Sequence, residues 1–432
     1  MKKIIIVSLL LCFSSIGAQT TPGKHSVKSL NVNTKEANFG VALMGNNQIV
    51  FASPSEKVTI IKRVWRENNQ AYLDLFIGDI DSTGQIINKR SLNGEVNRSL
   101  HEAMVTFSKD FKTVYFSANN YDDEEKIIRS TTGLGNVQLY KASVNENGEW
   151  IDIQKLPFNS NEFQTGLPTL NKDETKLYFV SDRPESIGKT DIFVVDIKSD
   201  GTYGEPKNMG PRINTEEREM FPFMSDDDIL YFSSQGHAGY GNLDVFASKI
   251  FDSTVSVPLN LEQPINSSKD DFAYIIEDIK HTGFFSSNRA GGKGDDDIYS
   301  FTEEEELFIE CLQTVKGVVR DRDTQELMPG AIVAILDKDG NQIQITASHE
   351  DDATYSFDVP CNSIYTLVGS NDGYLRKELE VTTVNDIDAP AIEKNIDMST
   401  EFILVGNEIL VNIDVIYFDF DKHNIRQDAA DE

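Results

Sequence analysis

The chain has 432 residues, 39% of them apolar, with 40 Lys and Arg against 70 Asp and Glu. The formal balance of −30 repels phosphate backbones and argues against nucleic-acid partners. Three cysteines and six histidines leave little material for metal or thiol chemistry, and at about 100–200 residues per domain the length predicts two to four domains.

Lys2 and Lys3 precede the apolar run Ile4 to Phe13, and the small or polar residues Ser14 to Gln19 follow. This predicts a secretory signal peptide over residues 1–18, cleaved after Ala18. The run is shorter than the roughly 20 residues that span a bilayer. Leu9-Leu-Leu-Cys12 has a lipobox outline, but Leu11 stands where a small residue is usual, so lipidation of Cys12 stays open. No later apolar segment is long enough to cross a membrane, which predicts an exported, periplasmic chain without a transmembrane helix in its mature form.

From residue 24 to 302 one phrase recurs. Lys176-Leu-Tyr-Phe-Val-Ser181, Ile229-Leu-Tyr-Phe-Ser-Ser234 and Thr282-Gly-Phe-Phe-Ser-Ser287 are variants of it, with weaker copies at Thr113-Val-Tyr-Phe-Ser117 and Gln48-Ile-Val-Phe-Ala-Ser53. Each is a β-branched and aromatic run stopped by small polar residues, as a buried strand requires. A second strand follows each, at Leu73-Asp-Leu-Phe76, Gln138-Leu-Tyr140, Asp191-Ile-Phe193, Asp244-Val-Phe246 and Asp297-Ile-Tyr299. An asparagine stands before the next copy at Asn97, Asn159, Asn214 and Asn266, spaced by 62, 55 and 52 residues. About fifty residues with four short strands is the period of a β-propeller blade, and five copies predict five blades. The fifth copy stops at Phe301 after its third strand, ahead of the acidic run Glu303 to Glu306. Ser29-Leu-Asn-Val-Asn33-Thr-Lys-Glu matches Pro211-Arg-Ile-Asn214-Thr-Glu-Glu, so the N-terminal segment is expected to complete the last blade, with Asn33 as the fifth asparagine. Closure removes exposed strand edges. The phrases resemble the TolB-like, WD-type propeller repeats of bacterial envelope proteins; the first copy departs most, with Val64-Trp65-Arg66 in place of loop glycines.

From Thr314 the pattern changes. Thr314-Val-Lys-Gly-Val-Val-Arg-Asp321, Leu327 to Leu336, Tyr355 to Val359 and Ile364 to Val368 read as short strands, with turns at Pro329-Gly330 and Asp339-Gly340. They predict a small β-sandwich over residues 311–400. Gly317-Val-Val-Arg-Asp321, Thr324, Pro329-Gly-Ala-Ile-Val333 and Asp339-Gly340 resemble the carboxypeptidase regulatory-like domain, which is transthyretin-like and non-catalytic; Asp351-Asp-Ala-Thr-Tyr355 lacks the usual turn glycine. Cys311 and Cys361 are the two cysteines left after signal removal, and an even count in an exported chain predicts a disulfide between them.

Residues 408–432 read as a strand, an acidic turn and a helix start. Ile416-Tyr-Phe-Asp-Phe-Asp-Lys422, Ile425-Arg426 and Ala429-Ala430 resemble the opening of an α/β OmpA-like peptidoglycan-binding domain, with Gln427 where proline is common. In that family the ligand-gripping Asp and Arg come later, so the peptidoglycan-binding residues are expected beyond Glu432 and the domain is expected to be incomplete.

There is no Gly-x-Ser-x-Gly, no phosphate loop and no His-Glu-x-x-His; His101-Glu102 is followed by Ala-Met-Val. Gly291-Gly-Lys-Gly-Asp-Asp-Asp297 matches a calcium nonapeptide, but the motif works in tandem and here stands single, in a loop whose glycines blade geometry explains. Asp226-Asp-Asp228 reads as a solvated turn. No catalytic, cofactor-binding or metal-ligating residue is assigned, and no cofactor is expected.

The order of propeller, regulatory-like module and OmpA-like start resembles envelope proteins of Bacteroidetes-type bacteria, some of which accompany type IX secretion and gliding. The tetratricopeptide repeats of the nearest such anchors are absent. The resemblance implies a non-enzymatic scaffold associated with the outer membrane. Peptidoglycan would be its tether, and other envelope proteins would bind the propeller face. The alternative is a periplasmic sugar- or peptide-binding propeller without anchoring role, or a propeller hydrolase or lyase, which would need acidic and Arg residues converging on the channel.

Overall fold

The Tyr-Phe-Ser-Ser phrases place aromatic and β-branched residues where the chain pairs on both sides, and each forms a strand buried almost throughout. The computed structural model describes residues 20–45, 47–56, 71–98, 101–122, 124, 126–405 and 408–411. The signal-like residues 1–18, Cys12 and residues 412–432 of the OmpA-like start lie outside the described residues. Among the described residues there is no α-helix.

The chain divides into two units, one of residues 1–250 and 255–309, the other of residues 251–254 and 310–432. Among the described residues the first holds twenty strands in five four-stranded antiparallel sheets. Strand β1 is Lys24–Ser29. The first sheet is β2 Phe39–Met44, β3 Gln48–Pro54, β4 Leu73–Ile80 and β5 Ile86–Ser91, in that order. The second is β6 Glu102–Phe107, β7 Thr113–Asn119, β8 Val137–Val144 and β9 Trp150–Lys155. The third is β10 Thr165–Leu170, β11 Lys176–Ser181, β12 Asp191–Asp196 and β13 Lys207–Asn208. The fourth is β14 Glu219–Met224, β15 Ile229–Ser234, β16 Asp244–Lys249 and β17 Leu259–Asn260. The fifth is β18 Asp271–Glu277, β19 Thr282–Ser287 and β20 Asp297–Glu305, completed by β1, with Ser29 opposite Tyr299 and Lys24 opposite Glu305.

The first strands β2, β6, β10, β14 and β18 touch in succession, and β18 touches β2, so the sheets form a closed ring, a β-propeller. Apolar cores fill the spaces between neighbouring sheets. Phe116 packs with Tyr140 and Trp150, Phe179 with Phe193, and Tyr274 with Tyr231 and Phe301. Burying each such ring contributes about 2–3 kcal/mol.

The second unit contains two facing sheets. Strands β21 Leu312–Asp321, β22 Ile332–Leu336, β23 Gln342–Ala347, β24 Thr354–Pro360, β25 Ile364–Ser370, β26 Lys377–Thr382, β27 Ile392–Glu393 and β28 Ile396–Met398 are ordered β24-β21-β27, with β28 also on β21, and β23-β22-β25-β26. Strand β24 alternates strictly, with Tyr355, Phe357 and Val359 buried against Val315, Val333, Ile335 and Leu367. Cys311 and Cys361 are disulfide-bonded, with Cα atoms 5.4 Å apart, at the end of the β21–β24 pair where Leu312 faces Pro360. Two further strands, β29 Phe402–Val405 and β30 Glu408–Val411, pair as a hairpin.

Candidate functional site

Each of the five inner strands carries a bulge at the same place. Pairing with the next strand shifts register between Phe39 and Ala42, Ala103 and Val105, Gly166 and Thr169, Met220 and Phe223, and Phe272 and Ile275. The third residue counted from Asn38, Glu102, Thr165, Glu219 and Asp271 in turn has left-handed backbone: Gly40 (φ 70°), Met104 (49°), Leu167 (56°), Phe221 (52°) and Ala273 (52°). Only Gly40 is a residue that adopts this conformation freely, so the other four are held there at a cost by the ring around them. At Gly40 a β-carbon would meet the Met104 sulfur at 2.4 Å.

The bulges aim side chains at the ring axis. Phe39, Phe221 and Phe272 pack with centroids 4.8–6.5 Å apart, joined by Met104 and Leu167, in an apolar plug built from all five inner strands. Toward the hairpins that follow the inner strands lies a cavity of about 330 Å³. Phe107, Phe111 and Phe223 stand on its wall, and Glu174, Asp226 and Asp278 are among its polar groups. A cavity of this size, largely apolar with a few polar groups, is the usual form of a small-molecule site.

Asp278 opens the short 3₁₀ turn Asp278–Lys280, and its carboxylate accepts the Asp226 N–H at 2.9 Å. Burial, with the carboxylates of Asp227, Asp226 and Glu303 adding to it, pushes the Asp278 carboxyl up to about 6. Asp226 is exposed. Glu174 accepts the Lys109 N–H, which ties the hairpins of two neighbouring sheets together. Phe111 is 38% exposed, and Ile279 beside Asp278 is 90% exposed.

The asparagines singled out from the sequence lie elsewhere and share one geometry. Asn33, Asn97, Asn159, Asn214 and Asn266 each accept the N–H and donate to the C=O of one residue in the preceding sheet, namely Ile298, Leu75, Leu139, Ile192 and Val245, at 2.6–3.1 Å. None of the five lines the cavity. The inner-strand carboxylates Glu102, Glu219 and Asp271 are buried and hold loops: Glu219 accepts from Thr215 and Ser234, and Asp271 from Ser267 and Arg289. Asp297 of the calcium-like stretch accepts the N–H groups of Lys293 and Gly294. Among the described residues no group of three or more His, Cys, Asp and Glu is placed to hold a metal ion.

Cavity residues Phe107, Phe111, Phe223 and Asp278 escaped the sequence reading; Asp226 lies in an exposed turn, as that reading has it, and lines the cavity as well. They come from three different sheets, and the one local signal is that each lies in the last two residues of an inner strand or follows one by a few residues.

No protein-family model matches the chain, and no curated protein matches it. Solved structures similar to it include an exo-β-1,3-galactanase from Clostridium thermocellum (12% identity, 89% of this chain and 91% of that one, TM-score 0.40). An α-L-arabinofuranosidase from Lactobacillus brevis gives 13% identity over 62% of this chain and 90% of that one, TM-score 0.38. A β-1,2-mannobiose phosphorylase from Listeria innocua gives 11%, 64%, 90% and 0.38. These are carbohydrate-active enzymes where the sequence reading has a non-enzymatic peptidoglycan anchor, so that function and the denial of enzymatic activity are both withdrawn. The anchor reading rested on residues 408–432, most of which lie outside the described residues and none of which belongs to the ring. Among the described residues, no helix is long and apolar enough to cross a membrane.

Proposed function

We propose that the ring is a five-bladed propeller that binds a sugar in the cavity at the hairpin end of its channel. The observation that carries this reading is the pairing, in one cavity of about 330 Å³, of the aromatic wall Phe107, Phe111 and Phe223 with the carboxylates Asp226 and Asp278. A pyranose has apolar C–H faces that rest on aromatic rings and hydroxyl donors that carboxylates accept. The volume suits one or two sugar rings. The envelope resemblance enters at the level of fold and export: TolB-like repeats in the ring, a regulatory-like sandwich after it, an OmpA-like start at the end, and a signal peptide that sends the chain to the periplasm. The test is a glycan array probed with the full chain. Binding to at least one oligosaccharide class, weakened about tenfold by Phe111→Ala, supports the reading, and a blank array overturns it.

A second reading, hydrolysis of the bound sugar, is favoured by Asp278. A half-buried carboxyl pushed up to about 6 stays protonated at mildly acidic pH, as a general acid must, while exposed Asp226 is held next to it. Release of reducing sugar from an array-positive glycan, abolished in Asp278→Asn, is the expected result; binding without turnover overturns it.

A further inference from the structure

The charges around the cavity are unevenly compensated. Lys172 reaches the backbone C=O of Asp226 at 3.1 Å rather than a carboxylate, and Glu277 is paired with Lys280 at 2.8 Å. Lys109 and Lys172 also line the cavity, but among the described residues neither the Asp226 nor the Asp278 carboxylate is ion-paired with a Lys, Arg or His. Both residues line the cavity, and the charges of Asp226, Asp227 and Glu303 act on the Asp278 carboxyl, so the field at this side chain is negative. A neutral sugar would leave that repulsion untouched. A ligand bearing a positive charge would relieve it, and at a half-buried position the gain is less screened than at an open surface.

We propose that the cavity selects an amino sugar, with the protonated amine against Asp226 and Asp278 and an apolar ring face against Phe111. This rests on the sugar-binding reading above and adds the charge of the ligand to it.

The experiment is calorimetric titration of the full chain at neutral pH with three disaccharides of one shape: the β-1,4 dimer of glucosamine, its di-N-acetyl form, and cellobiose. The glucosamine dimer is expected to bind about tenfold tighter than either neutral one. That advantage should shrink as salt is raised and fall to about twofold or less in both Asp226→Asn and Asp278→Asn. Comparing the ligands on the wild-type chain needs no variant to fold, and circular dichroism checks the two variants. If a neutral dimer binds as tightly as the glucosamine dimer, the charge selection is wrong while the sugar site stands. If none of the three binds and a lysine tripeptide does, the sugar reading itself falls and this inference with it.

Discussion

Asn33 and Ile298 lie 265 residues apart in sequence and exchange two hydrogen bonds, each 2.8 Å long. Both are buried, Asn33 at 5% exposure and Ile298 at 0%. The same pair of bonds joins every sheet to the next, but this one joins the last sheet to the first. Replacing Asn33 by Ala leaves a buried N–H and a buried C=O without their partner. The cost is expected to be about 2–4 kcal/mol, read as a lower urea midpoint. Asn33→Asp should keep the accepted bond but set a buried carboxylate oxygen against the Ile298 C=O, so at neutral pH it should cost at least as much as Ala. A midpoint unchanged in Asn33→Ala would show that the ring does not depend on this closure.

The His101 imidazole is pushed down to about 4 by burial, and its Nδ1 accepts the Leu73 N–H at 3.2 Å. The folded state therefore binds its proton less readily than the unfolded chain. Stability from this group is complete above pH 6.5 and is lost as pH falls from about 6.5 toward 4. Between pH 7 and pH 5 the wild type should lose about 2 kcal/mol more than His101→Gln. Equal losses would place the acid sensitivity elsewhere.

Asp191 and Asp244 occupy equivalent positions at the start of β12 and β16, but differ in their partners. Asp191 accepts from the Ile187 and Gly188 N–H groups and from Asn208. Asp244 accepts the Tyr240 and Gly241 N–H groups on one oxygen, and its other oxygen has no hydrogen-bond partner among the described residues. Burial raises the Asp244 carboxyl above its ordinary value, with Asp271 and Asp270 adding to it, so the fold is penalised as pH rises through that raised value. Asp244→Asn should be neutral or stabilising by about 1 kcal/mol at pH 7, with the difference vanishing in acid. Asp191→Asn should destabilise. The opposite order in thermal denaturation would refute the assignment.

The Cys311–Cys361 bond closes a loop with a sequence separation of 50. Chain-entropy arithmetic gives about 4 kcal/mol for such a loop. Reduction, or Cys311→Ser with Cys361→Ser, should lower the melting of the second unit and leave that of the first unchanged, because both cysteines belong to the second. Loss of a single shared transition would show that the units do not melt separately.

The second strand of each sheet was readable because β-branched and aromatic residues ending in serine mark a buried strand locally. Tyr115-Phe116, Tyr178-Phe179, Tyr231-Phe232 and Phe284-Phe285 each lie inside such a strand. The left-handed residues of the inner strands were not readable. Met104, Leu167 and Phe221 have no local preference for that backbone, and the ring imposes it on them. The cavity was hidden for a related reason. Phe111, Asp226 and Asp278 belong to separate hairpins, and a turn aspartate looks the same in sequence whether it faces bulk water or a channel mouth.

Strand β1 is synthesised ahead of every other strand in the ring, yet its partner β20 lies about 270 residues later, Ser29 facing Tyr299. At the usual ribosomal pace of about 5–20 residues per second, β1 waits about 14–54 s for that partner to be made. During that interval it is an unpaired edge that neighbouring nascent chains could capture. The alternation of Lys24, Ser26 and Lys28 with His25 and Val27 gives it one charged and polar side. Closure of the ring thus has to wait for the end of its own chain: the oldest strand of the ring pairs with the youngest.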